Sequence, residues 1–102
     1  MLASAGPEDK SLAPELLGLA GQPAIRQSVA KALARLGKPA LDDLIRIVDK
    51  GNRDEKLTAI LAIELIGPDA KSAFVDLRQL ATTYKDKELV EAAKKAMQEI
   101  NR

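Results

Sequence analysis

The carboxylates most open to an acid–base reading are Asp42, Asp43 and Glu64. Asp42 and Asp43 are neighbours in a stretch predicted to be helical. Adjacent helical positions point about 100° apart, a poor geometry for sharing a proton. Glu64 lies in an apolar run and becomes a perturbed acid only if it is buried. None of the three has a chemical partner, because the chain contains no His and no Cys. That removes the commonest general base, the commonest metal ligand, thiolate nucleophiles, Cys-based metal sites and disulfides. The turn at residues 49–54 lacks the oxygen ligands and closing Glu of a calcium loop. There is no Gly-rich phosphate loop. These residues point away from an enzyme and call for no cofactor.

The cations are equally uninformative as a site. Sixteen Lys and Arg face fifteen Asp and Glu, a net charge of +1, spread evenly along the chain. A polyanion surface needs clustered cation. The densest group is Lys85, Lys87, Lys94 and Lys95, and Asp86, Glu88, Glu91 and Glu99 are interleaved with it. This is the pattern of a solvated helix face. Phe74 and Tyr84 are the only aromatic residues, so there is no platform on which bases could stack. Nucleic acid is therefore a poor candidate partner. What remains is binding, and the elements that would position a binding surface.

The strongest of these is the run at residues 57–66, Leu-Thr-Ala-Ile-Leu-Ala-Ile-Glu-Leu-Ile, closed by Gly67 and Pro68. It reads as a helix, with Gly67 supplying a left-handed stop and Pro68 opening the next element. Ala59, Ala62, Ile63 and Ile66 form one stripe, and Leu57 and Leu61 fall far from its centre. A helix apolar nearly all round is either enclosed by protein or presents a face to something.

The rest of the chain reads as five more helices. Residues 1–10 form a flexible leader. Ala3 and Ala5 resemble a signal-cleavage pair, but the charged and apolar regions that should precede one are missing. Ser11 caps a first helix, carrying Leu12, Leu16, Leu19 and Ala20, which ends before Gly21. A second spans 23–36, with Ile25, Val29, Ala32, Leu33 and Leu36 inward, and Gly37 stops it. A third spans about 39–48, with Ala40, Leu44, Ile47 and Val48 inward. Asn52 and Glu55 have the spacing of a capping box before the fourth helix. The fifth opens at Pro68 and buries Ala70, Ala73, Phe74, Leu77 and Leu80. Asp86 caps the sixth, at 87–100, with Leu89, Ala93, Ala96, Met97 and Ile100 inward. There is no strand-period alternation, so the class is all-α. No apolar run approaches the ~20 residues needed to span a bilayer. Lack of Cys assigns no compartment, with the cytoplasm slightly favoured.

The helices repeat. Leu33, Leu36 and Gly37 return as Ile63, Ile66 and Gly67, then as Met97 and Ile100. Val29 and Ala32 map onto Ala59 and Ala62, then onto Ala93 and Ala96. Leu16, Leu19 and Ala20 map onto Leu44, Ile47 and Val48, then onto Leu77, Leu80 and Ala81. The units are helical hairpins of about thirty residues, at 11–37, 38–67 and 68–102, in one domain at 11–102. No hairpin buries its apolar face alone, so neighbours must stack.

Residues 36–45 and 59–70, with their recurring small Ala and terminal Ile-Gly, resemble HEAT repeats in their short bacterial form. The resemblance covers roughly residues 12–100. It implies a right-handed α-solenoid of about three stacked hairpins, six helices in all. The family serves as scaffolds, chaperone-like adaptors and subunits of bilin lyases, and rarely as nucleic-acid enzymes. Arg26 and Lys56 hold its basic position early in the second helix of a unit, and Asp49 or Asp54 supplies the acidic partner. The third unit has Val90 at the basic position. Stacking is thus expected to rest on apolar packing and not on a continuous Asp–Arg ladder.

In such stacks the second helices line the concave side, which places rows across it. One row is Gln27, Leu57 and Glu91; the next is Lys31, Leu61 and Lys95; a third is Arg35, Leu65 and Glu99, with Ala34, Glu64 and Gln98 beside it. Leu57, Leu61 and Leu65 are the candidate anchors of a protein-binding patch, with Lys31, Arg35 and Lys95 as its rim. The alternative is that flanking helices bury the three leucines. The function implied is a non-catalytic interaction or scaffold module for another protein. An accessory subunit of an enzyme, bilin-lyase-like, and a nucleic-acid-binding helical repeat remain open. The polar last helix fits a terminal cap. Leu17, off the core stripe of the first helix, suggests the C-terminal part of a longer array.

Overall fold

A computed structural model describes residues 21–102. The expected leader, the first helix and Leu17 lie outside the described residues. Among the described residues the chain is helical throughout, with no strand. A 3-10 turn, Pro23–Ile25, leads into α1 (Arg26–Leu36). Then follow α2 (Lys38–Lys50), α3 (Arg53–Ile66), a 3-10 segment Gly67–Ala73, α4 (Phe74–Thr83) and α5 (Lys87–Ile100). No described helix is long and apolar enough to cross a membrane.

Local chemistry sets these limits. Asn52 caps α3 by a reciprocal box: its Oδ1 accepts from the Glu55 N–H at 2.9 Å, and Glu55 Oε1 accepts from the Asn52 N–H at 2.8 Å. Asp86 caps α5, accepting from the Glu88 and Leu89 amides. Gly37 and Gly67 close α1 and α3 with φ of 65° and 75° and ψ of −138°, a region that side chains rarely enter. Gly37 turns the chain from α1 into α2, and Gly67 turns it from α3 into the 3-10 segment. The fifth predicted helix differs from expectation at its start. Pro68 opens a turn, but the segment to Ala73 is 3-10 with Ala70 off helical angles, and α-geometry begins only at Phe74. Ala70 and Ala73 are buried there all the same.

The core lies between two layers. α2 and α4 form one; α1, α3 and α5 form the other, with α3 packed against α1, α2 and α5. Leu33, Leu44, Ile60, Ile63, Leu77 and Ile100 are its fully buried large aliphatics. Each contributes about 1.5–3 kcal/mol by burial. Small residues at Ala59, Ala62, Ala93 and Ala96 let the helices approach, and all are fully buried.

Contacts at both ends give the direction of the helices in the α1, α3 and α5 layer. Arg26, at the start of α1, donates through Nη2 to Asp54 Oδ1 near the start of α3, at 3.0 Å. Arg53 at the start of α3 donates through Nε to the α5 cap Asp86 at 2.5 Å, and through Nη2 to Glu88. At the far end Gly67, closing α3, lies against the Glu99 carbonyl of α5. N-termini thus meet N-termini, and α1, α3 and α5 run parallel, side by side.

This corrects the expectation that stacking lacks an ionic ladder. Arg26–Asp54 and Arg53–Asp86 link the three helices in sequence, at the level of their first turns. The second rung comes from Arg53, not from Lys56. Lys56 is only 4% exposed and turns back across its own hairpin, where Nζ donates to the Val48 carbonyl at 2.8 Å and the Asp49 carbonyl at 3.1 Å. It thereby caps the C-terminus of α2, where a cation is favoured. Tyr84 lies over it, with the ring centre 5.0 Å from Nζ.

Candidate functional site

One face of α3 reaches the surface of the α1, α3 and α5 layer, and its exposure is graded along the helix. Leu57 is 5% exposed, Leu61 is half-buried and Leu65 is 48% exposed. The three predicted anchors are therefore not equivalent. Leu57 belongs to the core. Leu65 is near the C-terminus of α3 and exposed. Leu61 is the one that sits in the surface and is still held by its neighbours.

Leu61 lies where two depressions meet. The first, between α3 and α5, has a volume of about 300 Å³; its floor is Leu57, Leu61 and Ala92. Its charged walls are Arg26, Glu64, Glu88, Glu91 and Lys95. The second, of about 510 Å³, lies on the α1 side and is lined by residues 23–28 together with Leu61. Arg26 and Leu61 line both, which joins them into one surface.

The groove brings together Leu57, Leu61 and Lys95 of the predicted set. It leaves out Leu65, Lys31 and Arg35. Lys31 and Arg35 are exposed on α1, but the α1 wall is built from the 3-10 turn and the first helical turn, N-terminal to both. In place of a cationic rim the α3–α5 groove has a mixed one with three glutamates. Sequence reasoning had set Glu91 and Lys95 level with Leu57 and Leu61, and all four line this groove. Arg26 and Glu88 were not anticipated there. Their signal is positional: Arg26 holds the basic position early in its helix, and Glu88 is in the first turn of α5.

The ion pairs shape the electrostatics of this wall. Arg26 is held by Asp54, and its Nε is buried with no hydrogen-bond partner among the described residues. Glu88 is held by Arg53. The hydrogen bond from Arg53 keeps the Asp86 carboxyl below its ordinary range, and Asp86 and Glu88 in turn raise the Arg53 guanidinium. Both groups therefore stay ionised across the neutral range. No group of three or more His, Cys, Asp or Glu able to hold a metal ion occurs among the described residues. Shape, an apolar floor and fixed charges are what this surface offers to a ligand.

No family model matches the chain, and neither a curated protein nor a solved structure matches it.

Proposed function

We propose that the chain is a non-catalytic protein-interaction module, a short right-handed α-solenoid of three HEAT-like hairpins that binds another protein on the face of its second helices. Six helices are needed for three hairpins, the first of them being the one read from the sequence at residues 11–20. The parallel order of α1, α3 and α5, each followed or preceded by a helix of the other layer, supports stacking of like units. The recurrence of Gly37 and Gly67 at matched places, with near-identical angles, supports the repeat.

The observation that carries the binding role is the position of Leu61. It is half-buried, stands between two depressions and is surrounded by charged side chains, the arrangement of an apolar anchor point inside a polar rim. Leu57 and Ala92 extend the anchor into the α3–α5 groove, and Lys95 stands on its edge. Leu65, Lys31 and Arg35 lie at the periphery of the same layer. A partner helix or extended segment placing apolar residues along the groove fits this shape.

The test is Leu61→Glu. The side chain is already partly in water, so the variant should keep its helical circular dichroism and cooperative unfolding while losing the partner. An intact partner complex with Leu61→Glu overturns the proposal.

A further inference from the structure

We propose that the α3–α5 groove takes a basic amphipathic segment of a partner protein, with an aliphatic side chain on Leu61 and Lys or Arg side chains against Glu64 and Glu91. The inference rests on the interaction face proposed above and adds the chemistry of its occupant.

Five charged side chains line the groove, and two of them are already engaged. Arg26 is held by Asp54 and Glu88 by Arg53. The side chains of Glu64, Glu91 and Lys95 form no ion pair or hydrogen bond among the described residues. Two carboxylates against one ammonium leave the groove with one net negative charge available to a ligand. The whole chain carries +1, so this acidity is local. Glu64 is the more pointed case: it is half-buried beside the apolar floor, and its carboxylate has no partner among the described residues. A partly desolvated carboxylate gains most from a cation that arrives with its own donors, and a guanidinium can do so by two parallel hydrogen bonds.

The spacing suits a short helix. Leu57, Leu61 and Glu64 are at i, i+4 and i+7 on α3; Glu88, Glu91, Ala92 and Lys95 are at i, i+3, i+4 and i+7 on α5. Both are single helix faces, and the two helices run parallel. The groove therefore extends for about two turns, roughly 10 Å. An acidic segment or a nucleic-acid backbone would meet Glu64 and Glu91 with Lys95 to offset them, since Arg26 is already held by Asp54.

The experiment uses the full chain and two synthetic helical peptides of about 14 residues, or four turns. Both carry Leu at i and i+4; one bears Lys and Arg at the flanking positions, the other Glu. Methyl chemical shifts of Leu57, Leu61 and Ala92 report binding. The basic peptide should move these signals, and a Glu64→Gln, Glu91→Gln double variant should weaken it roughly two- to fivefold per carboxylate, as for an exposed charge pair. If the acidic peptide moves them as strongly, or the double variant binds the basic peptide unchanged, the charge inference is overturned and the interaction face stands. If neither peptide moves them, both fall.

Discussion

Replacing Lys56 with Met removes an ammonium while keeping most of the aliphatic stem that fills its site. The wild-type group makes two hydrogen bonds to the last carbonyls of α2, at 2.8 and 3.1 Å, and lies under the Tyr84 ring. A hydrogen bond to a charged group is worth about 1.5–3 kcal/mol. Val48 is buried, so its carbonyl would lose that in full; Asp49 is exposed, so its carbonyl can turn to water. The ring contact adds about 0.5–1 kcal/mol. Against this stands relief from burying an ammonium, which costs several kcal/mol before compensation. Taking the carbonyl and ring terms less part of that relief, Lys56→Met should destabilise the fold by about 2 kcal/mol. Urea titration followed by far-ultraviolet circular dichroism measures the change, and the melting temperature should fall by about 4–8 °C per kcal/mol lost. The reasoning is refuted if Lys56→Met matches or exceeds the wild type. The buried ammonium would then cost as much as its carbonyls return.

Other expectations follow from the caps, the Gly37 turn and the ion pairs. Asn52→Ala removes half of the capping box and should cost about 1 kcal/mol in the same titration. A methyl group at Gly37→Ala meets no atom within 4 Å among the described residues, so the expected loss is that of backbone strain, about 1–3 kcal/mol; an unchanged midpoint would show that φ of 65° is not imposed there. Asp86 has a folded pKa held below its unfolded value of about 3.9. Its contribution is thus present above that pH and lost as pH falls through the folded value. Asp86→Asn keeps a capping side chain and removes the charge, so the stability of this variant should vary less below about pH 4 than that of the wild type.

Much of the architecture was legible because helix boundaries are written in local chemistry. The limits of α5 follow from Asp86 and the spacing of Leu89, Ala93, Ala96 and Ile100. The capping box at Asn52 and Glu55 needs only two residues three apart. What was not legible depends on which helix lies beside which. Lys56 and Arg53 are both basic residues in the first turn of α3, and nothing local says which one crosses to α5. Arg53 points to α5 and finds Asp86; Lys56 lies on the face toward α2, where the end of that helix takes it. Leu57, Leu61 and Leu65 look alike in a pattern of period 3.6, yet their burial is graded from 5% exposed at Leu57 to 48% at Leu65, which depends on the tertiary surroundings of each and not on the spacing. The pairing of Glu91 and Lys95 with Leu57 and Leu61 came through the repeat period. The repeat period could not place the α1 wall, which begins in a 3-10 turn.

The role assigned to Leu61 is tested most directly by partner capture from native cell extract with three baits: the wild type, Leu61→Glu and Val75→Glu. Val75 is 59% exposed on α4 and lines neither depression, so it controls for an added surface charge. A partner held by the wild type and by Val75→Glu, and lost from a folded Leu61→Glu, is the expected result. A partner retained by Leu61→Glu, or lost only from Val75→Glu, would place the interaction on another face and contradict the role of the groove.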